Sequence, residues 1–316
     1  MSDRVQKYSA PVVILVIILI LWEGVVAAFE IEQFLLPRPT VILANLVNLV
    51  LLTPDPTAIS MAEVDARLKA NTLVIVVPAG APDQFKSAVA AAAMLRLPVG
   101  SSTLLLLPGK NLSPILQASW FTLREALGGL AIGSGLGILV AMSTARWAVT
   151  REALMPFAIA VNSMPIIAFA PITNNWFGID NPFSKMVIVA LMTFFPTMIN
   201  TVRGLTLVDQ RSLELMRSYA ANEFEILRKL RIPNALPFIF NGLKVSAALS
   251  MIGAVVGEYF GGPRIALGVF ITQEAALFRF SSAWAAIIIA CGLGIALYLL
   301  IIFAERLAMP WHSSFR

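Results

Sequence analysis

Cysteine, histidine and charge are scarce in this sequence, and each shortage excludes a class of protein. The 316 residues contain one cysteine, Cys291, and one histidine, His312. Disulfide frameworks need paired cysteines, and metal or histidine-based catalysis needs several ligands or a positioned base. Only 13% of the residues are charged, too few to cover a soluble domain of this length. We therefore predict a membrane protein without a catalytic centre, a metal site or a bound cofactor.

A phosphate-binding loop is also missing. No GxxxxGK[ST] pattern occurs, because Gly109–Lys110 is followed by asparagine and lacks the upstream spacing. Any ATP chemistry must then lie on another polypeptide. The net charge of +5 does not indicate nucleic-acid binding, since the basic residues are grouped between apolar runs rather than along one face.

Long apolar runs are abundant. Apolar residues make up 58% of the chain, and the mean hydropathy is +0.82. A helix of roughly 20 residues crosses a hydrocarbon layer of about 30 Å, and only helices or closed barrels satisfy their backbone groups there. The sequence predicts an all-α polytopic fold with about six transmembrane helices, at residues 11–29, 126–145, 153–173, 186–202, 235–260 and 283–304.

Lysines and arginines between these runs predict the orientation. With the N-terminus inside, twelve of them face the cytoplasm, and the outer loops keep only Lys185, Arg264 and Arg279. This is the positive-inside pattern. We expect both termini to be cytoplasmic in a multi-pass protein of the cell (inner) membrane.

Residues 30–118 do not resemble a simple loop. The apolar run at 37–52 is too short to span and predicts an interfacial helix. A polar helical stretch (Met61–Ala70), a β-like run (Thr72–Val77), an alanine-rich helix and a second β-like run (Ser102–Leu107) follow. This order indicates a small βαβ insertion on the outer face, although an elaborated loop stays an alternative.

Four regions follow from this reading. Residues 1–29 form the N-terminus and first span, and 30–118 form the extracytoplasmic or interfacial segment with its insertion. Residues 119–310 form a core of five spans that includes a loop at 208–233, and 311–316 form a cytoplasmic tail.

The loop contains the one charge-dense island in the second half of the chain, Glu214–Pro233. Its pattern predicts a short helix, a tight break and a second short helix, with an apolar set at Tyr219, Phe224, Leu227 and Leu230. Asn222 and Glu225 are spaced as a capping box. We expect Pro233 to end the second helix.

The island resembles the cytoplasmic EAA loop of permease subunits in binding-protein-dependent ABC importers. Glu214 takes the glutamate position, Leu230 the aliphatic one, and Ile232–Pro233 the Leu-Pro pair. Ala220 stands where glycine is usual and tolerates a left-handed turn less well, which leaves open how the break is formed. The alternative is a solvated linker between spans. The residues that this resemblance implies for ATPase coupling are Glu214, Arg217, Tyr219, Ala220, Ala221, Asn222, Phe224, Leu227 and Pro233.

The resemblance implies further partners and a substrate class. Two permease copies, expected to be identical, form the pathway, two nucleotide-binding ATPase subunits bind the loops, and an extracytoplasmic binding protein delivers the solute. The branch is similar to importers of nitrate, sulfonates, taurine and pyrimidine precursors. Residues 164–179, 232–249 and 253–262 resemble members associated with hydroxymethylpyrimidine or riboflavin-type substrates.

Polar residues inside spans need a reason, because a charge at the centre of a spanning helix costs about 2.5–3.5 kcal/mol. An aqueous pathway would supply one, and a lysine there suits an anionic or carbonyl-bearing solute. For the charged residues, Glu23 included, the alternatives are snorkelling to the interface or a structural ion pair with another helix. For the polar end of the third span the alternative is a helix-packing defect. The candidate pathway residues are Asn162, Ser163, Pro165, Asn174, Asn175, Lys244 and Glu258.

Two other functions compete with an importer subunit. An intramembrane enzyme would need a nucleophile and base that the lone His312 does not supply. An ion-coupled carrier or channel independent of ATP would usually show paired repeats with matching broken helices, and none is apparent. Glycines 129, 133 and 137 give the second span a small-residue face, which we expect to pack within the subunit.

Overall fold

The computed structural model describes residues 2–33, 35–51, 74–77, 80–81, 83–100, 102–106, 113–144, 156, 160 and 163–310. It divides into two compact units. The first comprises Met1–Ala118 and Phe270–Ile289, and the second comprises Ser119–Val269 and Ala290–Arg316. The polar stretch predicted at 61–70, residues 153–155, 157–159 and 161–162 of the third predicted span, and the tail at 311–316 lie outside the described residues.

Two helices begin the first unit, α1 (Ser2–Ala28) and α2 (Pro39–Leu51). The Glu23 carboxylate of α1 accepts hydrogen bonds from the Thr40 backbone N–H at 3.2 Å and the Thr40 hydroxyl at 2.9 Å. Thr40 lies in the first turn of α2, where free N–H groups favour a negative charge. The Glu23 carboxylate therefore has hydrogen-bond donors on a second helix.

The insertion in the first unit is an antiparallel sheet with one helix. Its elements are β1 (Val74–Val77), α3 (Asp83–Ala92), β2 (Leu95–Val99) and β3 (Ser102–Leu106). The strand order is β1-β3-β2, so β3 is the central strand. Leu104 of β3 pairs with Val76 of β1 and with Leu97 of β2.

The predicted βαβ unit is therefore wrong in its pairing. A βαβ crossover joins parallel strands, whereas β1 and β3 run antiparallel. The prediction missed β2, whose sequence contains Arg96 and Pro98 and gives a weak strand signal. β2 is an edge strand, which is where proline is tolerated.

The second unit is helical. It contains most of α4 (Pro114–Thr144), α5 (Ala170–Phe177), α6 (Pro182–Thr206), α7 (Gln210–Ser218), α8 (Glu223–Ile226), α9 (Ile232–Tyr259) and the C-terminal part of α11 (Phe280–Ala308). A further helix, α10 (Leu267–Ala276), precedes α11. Within the described residues, four helices are long and apolar enough to cross a membrane, namely Pro114–Ser143, Pro182–Thr206, Glu223–Tyr259 and Phe280–Ala308.

These four helices overlap the second, fourth, fifth and sixth predicted spans. The fourth was the shortest prediction, yet α6 has 25 residues. It is longer because Asn181 caps it, accepting the Phe183 N–H at 3.0 Å, and because Pro182 suits the first helical position. The last part of the third predicted span is not one continuous α-helix. It contains a 3₁₀ turn at Ile166–Phe169, which leads directly into the short helix α5.

Close packing of α4 on α6 uses the three glycines singled out in the sequence. A methyl group added at Gly129, Gly133 or Gly137 would meet atoms of α6, including the Met186, Ala190 and Phe194 carbonyl oxygens. The small-residue face thus packs within the subunit, as expected.

A line of buried hydroxyl groups joins α4, α6 and α9. The hydroxyl oxygens of Ser134 and Thr197 lie 3.1 Å apart, and those of Thr197 and Ser246 lie 2.9 Å apart. Ser246 also donates to the Thr193 carbonyl at 3.2 Å. All of these side chains are buried, so the three helices satisfy one another's polar groups where hydrocarbon would offer no partner.

We predict opposite effects for two glycine substitutions in α4. In Gly133→Ala the new methyl would overlap the Thr193 hydroxyl and the Ala190 carbonyl, whereas at Gly135 nothing lies within 4 Å. Overpacking typically destabilises by about 1–3 kcal/mol, while alanine in an open helical position gains about 1 kcal/mol over glycine. The melting temperature of the purified protein should fall for Gly133→Ala and should not fall for Gly135→Ala. Equal losses would contradict the packing described for α4.

Candidate functional site

Two short helices form a hairpin between α6 and α9, and each is capped by its own sequence. The Asp209 carboxylate begins α7 by accepting the Ser212 backbone N–H at 3.1 Å. Asn222 begins α8 by accepting the Glu225 N–H at 2.8 Å, and the Glu225 carboxylate accepts the Asn222 N–H at 3.1 Å. The predicted capping box is confirmed.

Ala220 forms the break between α7 and α8. It takes a left-handed backbone conformation, with φ of 56°. The Ala221 N–H bonds to the Met216 carbonyl at 3.1 Å and the Ala220 N–H to the Arg217 carbonyl at 2.9 Å, which is the Schellman pattern. The turn therefore has the geometry that glycine would favour, adopted by an alanine.

The expectation that Pro233 ends the second helix is wrong. A π turn of five residues, Leu227–Arg231, directly follows α8. α9 then starts at Ile232, with Pro233 in its first turn. A continuous helix thus runs from Glu223 to Tyr259. Proline lacks a backbone N–H and its ring crowds the carbonyl of the preceding turn, and the wider π turn accommodates both effects without ending the helix.

Apolar side chains on the hairpin are divided between solvent and the protein interior. Tyr219 is 77% exposed, Phe224 68% and Leu215 57%. Leu227 and Leu230 are half-buried. The residue that anchors α8 is Ile226, which is 1% exposed and which the sequence reading missed. Its position directly before Leu227 was the available signal.

The base of the hairpin is held by Asn234, another residue missed from the sequence. Its side-chain amide donates to the carbonyl oxygens of Gly204 and Leu207, both at 2.9 Å. These carbonyls belong to the end of α6, so one amide ties that end to the start of α9. The two chain segments that enter and leave the hairpin are therefore held together by hydrogen bonds.

Several charged residues on the hairpin contact their neighbours in the sequence. Glu214 accepts a hydrogen bond from Gln210 at 3.1 Å, rather than pairing with Arg217 or Ser218. Arg217 and Glu214 are both exposed. Lys229 and Glu225 lie 3.5 Å apart across one turn. Exposed pairs of this kind contribute little stability, so these side chains are available to a partner surface.

Lys244, a candidate pathway residue, has an ion-pair partner. Its ammonium lies 2.6 Å from the Glu305 carboxylate of α11, and the two side chains are 22% and 9% exposed. Glu305 lies near the end of the sixth predicted span, and nothing in the sequence indicated the pairing. A structural ion pair was one alternative for Lys244, and the structure contains it.

Glu258 lies near the C-terminal end of α9, and Asn174 of α5 contacts the residues that follow that end. The Asn174 amide donates to the Phe260 and Gly261 carbonyls at 3.2 and 3.3 Å, and both Asn174 and Glu258 are buried. Ser163, Pro165 and Asn175 are exposed, and Asn162 lies outside the described residues. The structure therefore brings Asn174 to the helix end that carries Glu258 but not to Lys244, which lies fourteen residues or about 21 Å earlier along α9.

Metal chemistry has no support in the described part of the chain. No group of three histidine, cysteine, aspartate or glutamate side chains there could hold a metal ion. What the hairpin can do is bind: it presents exposed aromatic and charged side chains on a rigid, capped turn.

We predict that Ala220→Gly stabilises the hairpin by about 1 kcal/mol, because a left-handed conformation costs an L-residue about 1–2 kcal/mol that glycine avoids. Ala221→Gly is the matched control. Its φ is not positive, so that substitution should destabilise or leave stability unchanged. Amide hydrogen exchange over α7 and α8 measures both effects. Slower exchange in both variants would contradict the assigned role of Ala220.

The Lys244–Glu305 pair predicts a double-mutant result. Removing one partner of a buried pair leaves an uncompensated charge and costs about 3–5 kcal/mol, whereas replacing both by apolar residues is often neutral. Lys244→Met and Glu305→Met should each lower the melting temperature. The double variant should recover most of the loss, and additive losses would exclude a coupled pair.

Comparisons with known proteins agree with the resemblance of the hairpin. The chain is 33% identical over 198 residues to the riboflavin transport system permease protein RibX of Chloroflexus aurantiacus, covering 63% of this chain and 73% of that protein. It is 33% identical over 186 residues to the formylaminopyrimidine transport permease protein ThiX of Halalkalibacterium halodurans, covering 59% and 74%. A crystal structure of an amino acid ABC transporter with histidines has a TM-score of 0.50 at 15% identity, covering 61% of this chain and 93% of that one, which supports the fold.

A family model matches more than half of the chain. Residues 133–308 match the binding-protein-dependent transport system inner membrane component. The match includes the hairpin, α9 and α11, the elements described above. The chain therefore belongs to this family and is a non-catalytic, multi-pass permease subunit of an ABC importer, in which a partner ATPase uses the ATP.

Proposed function

We propose that this permease subunit imports a small nitrogen-heterocyclic solute, of the pyrimidine-precursor or riboflavin type. Two copies of the chain form the pathway, two ATPase subunits bind the hairpins, and an extracytoplasmic binding protein delivers the solute. Both termini and the hairpin face the cytoplasm. The substrate class rests on two relatives whose names refer to riboflavin and to formylaminopyrimidine.

The exposed face of the hairpin is the observation that carries the coupling role. Tyr219 and Phe224 lie on either side of the Ala220 turn and stay largely exposed in the isolated subunit. Large aromatic side chains on a capped, rigid turn lose little conformational entropy when a partner covers them. The continuous helix from Glu223 to Tyr259 then gives a rigid path by which movement of a bound ATPase reaches the spans.

The coupling surface comprises the residues that the family resemblance implied, now grouped by position. Tyr219 and Phe224 provide apolar contact, and Glu214 and Arg217 provide charge. Ala220, Ala221 and Asn222 set the turn. Leu227 and Pro233 belong to the stem that leads into α9.

The pathway surface is proposed to include Ser163, Pro165, Asn175 and Lys244. The first three are exposed, and Lys244 keeps 22% of its side chain exposed beside Glu305. Asn174 and Glu258 are buried, so we propose that they position this surface through their hydrogen bonds and do not line it. For Asn162, which is adjacent to Ser163 in the sequence, pathway lining stays a prediction.

The coupling proposal predicts that removing both exposed aromatics disconnects the permease from its ATPase. The double variant Tyr219→Ala/Phe224→Ala should fold normally, because both side chains are exposed, but should lose ATPase co-purification and transport. Phe303→Ala removes a side chain that is 64% exposed on α11 and serves as the matched control. Glu214→Ala should weaken coupled transport.

The same measurement separates an importer from a carrier. Full transport by the double aromatic variant, or by a chain purified without any ATPase, would contradict the coupling role. It would favour the alternative of a carrier or channel independent of ATP. Loss of transport in Phe303→Ala as well would mean that the aromatic truncation acts through general destabilisation.

The substrate proposal is tested on the cognate binding protein. Ligands that bind the folded state raise its melting temperature, by an amount set by concentration and affinity. Riboflavin and formylaminopyrimidine should raise it, and nitrate, taurine and an alkyl sulfonate should not. A shift with the anions alone would reject the heterocycle class while leaving the coupling role intact.

A further inference from the structure

Three charged side chains from three helices are sealed together inside the second unit. Glu125 of α4 and Lys185 of α6 are each 0% exposed, and Glu258 of α9 is 1% exposed. Both glutamates interact electrostatically with each other and with the lysine. Two carboxyl groups and one ammonium group leave a formal charge of −1 in an interior that solvates charge poorly.

Each carboxylate oxygen of Glu258 accepts a hydrogen bond. Its Oε1 accepts the Thr122 hydroxyl at 2.7 Å, and its Oε2 accepts the Gly268 backbone N–H at 2.6 Å. The Thr122 oxygen in turn accepts the Leu267 N–H at 3.0 Å. Leu267 and Gly268 begin α10, so the negative charge lies against free N–H groups at a helix start. These contacts favour the ionised form of Glu258.

Lys185 supplies the one cation of this cluster. Its ammonium donates to the Ile179 carbonyl, and the charges acting on it are those of Glu125, Glu258 and Asp180. Asp180 is exposed and reaches solvent. One ammonium can balance one of the two buried carboxylates, and Glu258 already has the contacts that a carboxylate needs.

Glu125 is the group that remains unexplained. Both of its carboxyl oxygens are buried with no hydrogen-bond donor among the described residues, and the side chain within hydrogen-bonding reach is another carboxyl group, that of Glu258. An ionised carboxylate in that position would be both uncompensated in charge and unsatisfied in hydrogen bonding. A protonated carboxyl group has one O–H to donate, and the Glu258 carboxylate beside it has lone pairs left to accept.

We propose that Glu125, Lys185 and Glu258 form a proton-binding site that holds one proton, on the Glu125 carboxyl, which donates to the Glu258 carboxylate. The proton makes the cluster neutral and gives Glu125 a partner. No other described titratable side chain acts on Glu125, since Tyr259 interacts with Glu258 and Asp180 with Lys185. The site ties α4, α6 and α9 to the start of α10 with a bound proton as a structural part.

Two matched amide substitutions test which carboxyl group carries the proton. Glutamine resembles a protonated glutamate in shape and can donate a hydrogen bond. In the full-length chain, within the assembled transporter in lipid nanodiscs, Glu125→Gln should leave the apparent melting temperature within about 2 °C of wild type. Glu258→Gln should lower it by about 5 °C or more, because an amide cannot accept at both oxygen positions. Equal losses in the two variants would overturn the assignment, as would failure of Glu125→Gln to assemble.

A pH series tests the bound proton without relying on Glu258→Gln. Glutamate in an unfolded chain is ionised above about pH 5, so wild type would hold one more proton folded than unfolded, and its stability should fall as pH rises. Glu125→Gln lacks that proton. The melting temperature of the variant minus that of wild type should therefore increase from about pH 6 to about pH 9, corresponding to at most tenfold per pH unit in the relative unfolding constant. A difference that stays constant with pH would overturn the proposal.

Infrared difference spectroscopy gives a readout that a merely structural role would not change. The wild-type transporter should show the carbonyl band of a protonated carboxylic acid, and the band should be absent from Glu125→Gln. Identical spectra would mean that Glu125 is ionised. Stabilisation of wild type, but not of Glu125→Gln, by sodium or potassium ions would identify a metal cation in place of the proton and would also overturn the proposal.

Discussion

Polar groups inside an apolar bundle must find their partners within the protein, because hydrocarbon supplies none, and this requirement organises the second unit. The hydroxyl line of Ser134, Thr197 and Ser246 joins α4, α6 and α9. Glu258 extends the same logic from the end of α9 to the start of α10. Each contact satisfies one helix with a group from another, so the arrangement of the helices is specified by their polar residues as much as by their apolar ones.

The hairpin of α7 and α8 lies outside this bundle and is largely exposed, so water competes for its hydrogen bonds. It is kept rigid by local devices: an aspartate cap, a Schellman turn at Ala220 and a capping box at Asn222. Because these contacts span only a few residues, the hairpin needs little packing of its own. Its exposed aromatic side chains are then free for a partner subunit.

The features that could be predicted from the sequence are those with a short range along the chain. Apolar runs nearly or fully long enough to cross a membrane identified four of the observed long helices, and the spacing of Asn222 and Glu225 identified a capping box. Predictions failed where neighbouring residues changed the effect of a single residue type or weakened a pattern. Pro233 does not end its helix, because the π turn before it absorbs the disruption, and β2 was missed because Arg96 and Pro98 weaken its strand pattern.

The sequence by itself determined the family, the membrane class and the position of the hairpin, because composition, hydropathy and motif spacing are properties of the linear chain. Only the tertiary structure decided which charges are paired. Glu305 lies 61 residues after Lys244, and Thr122 lies 136 residues before Glu258, so no local pattern connects them. Partner choice over such separations follows from helix packing, which brings distant residues within 3 Å of each other.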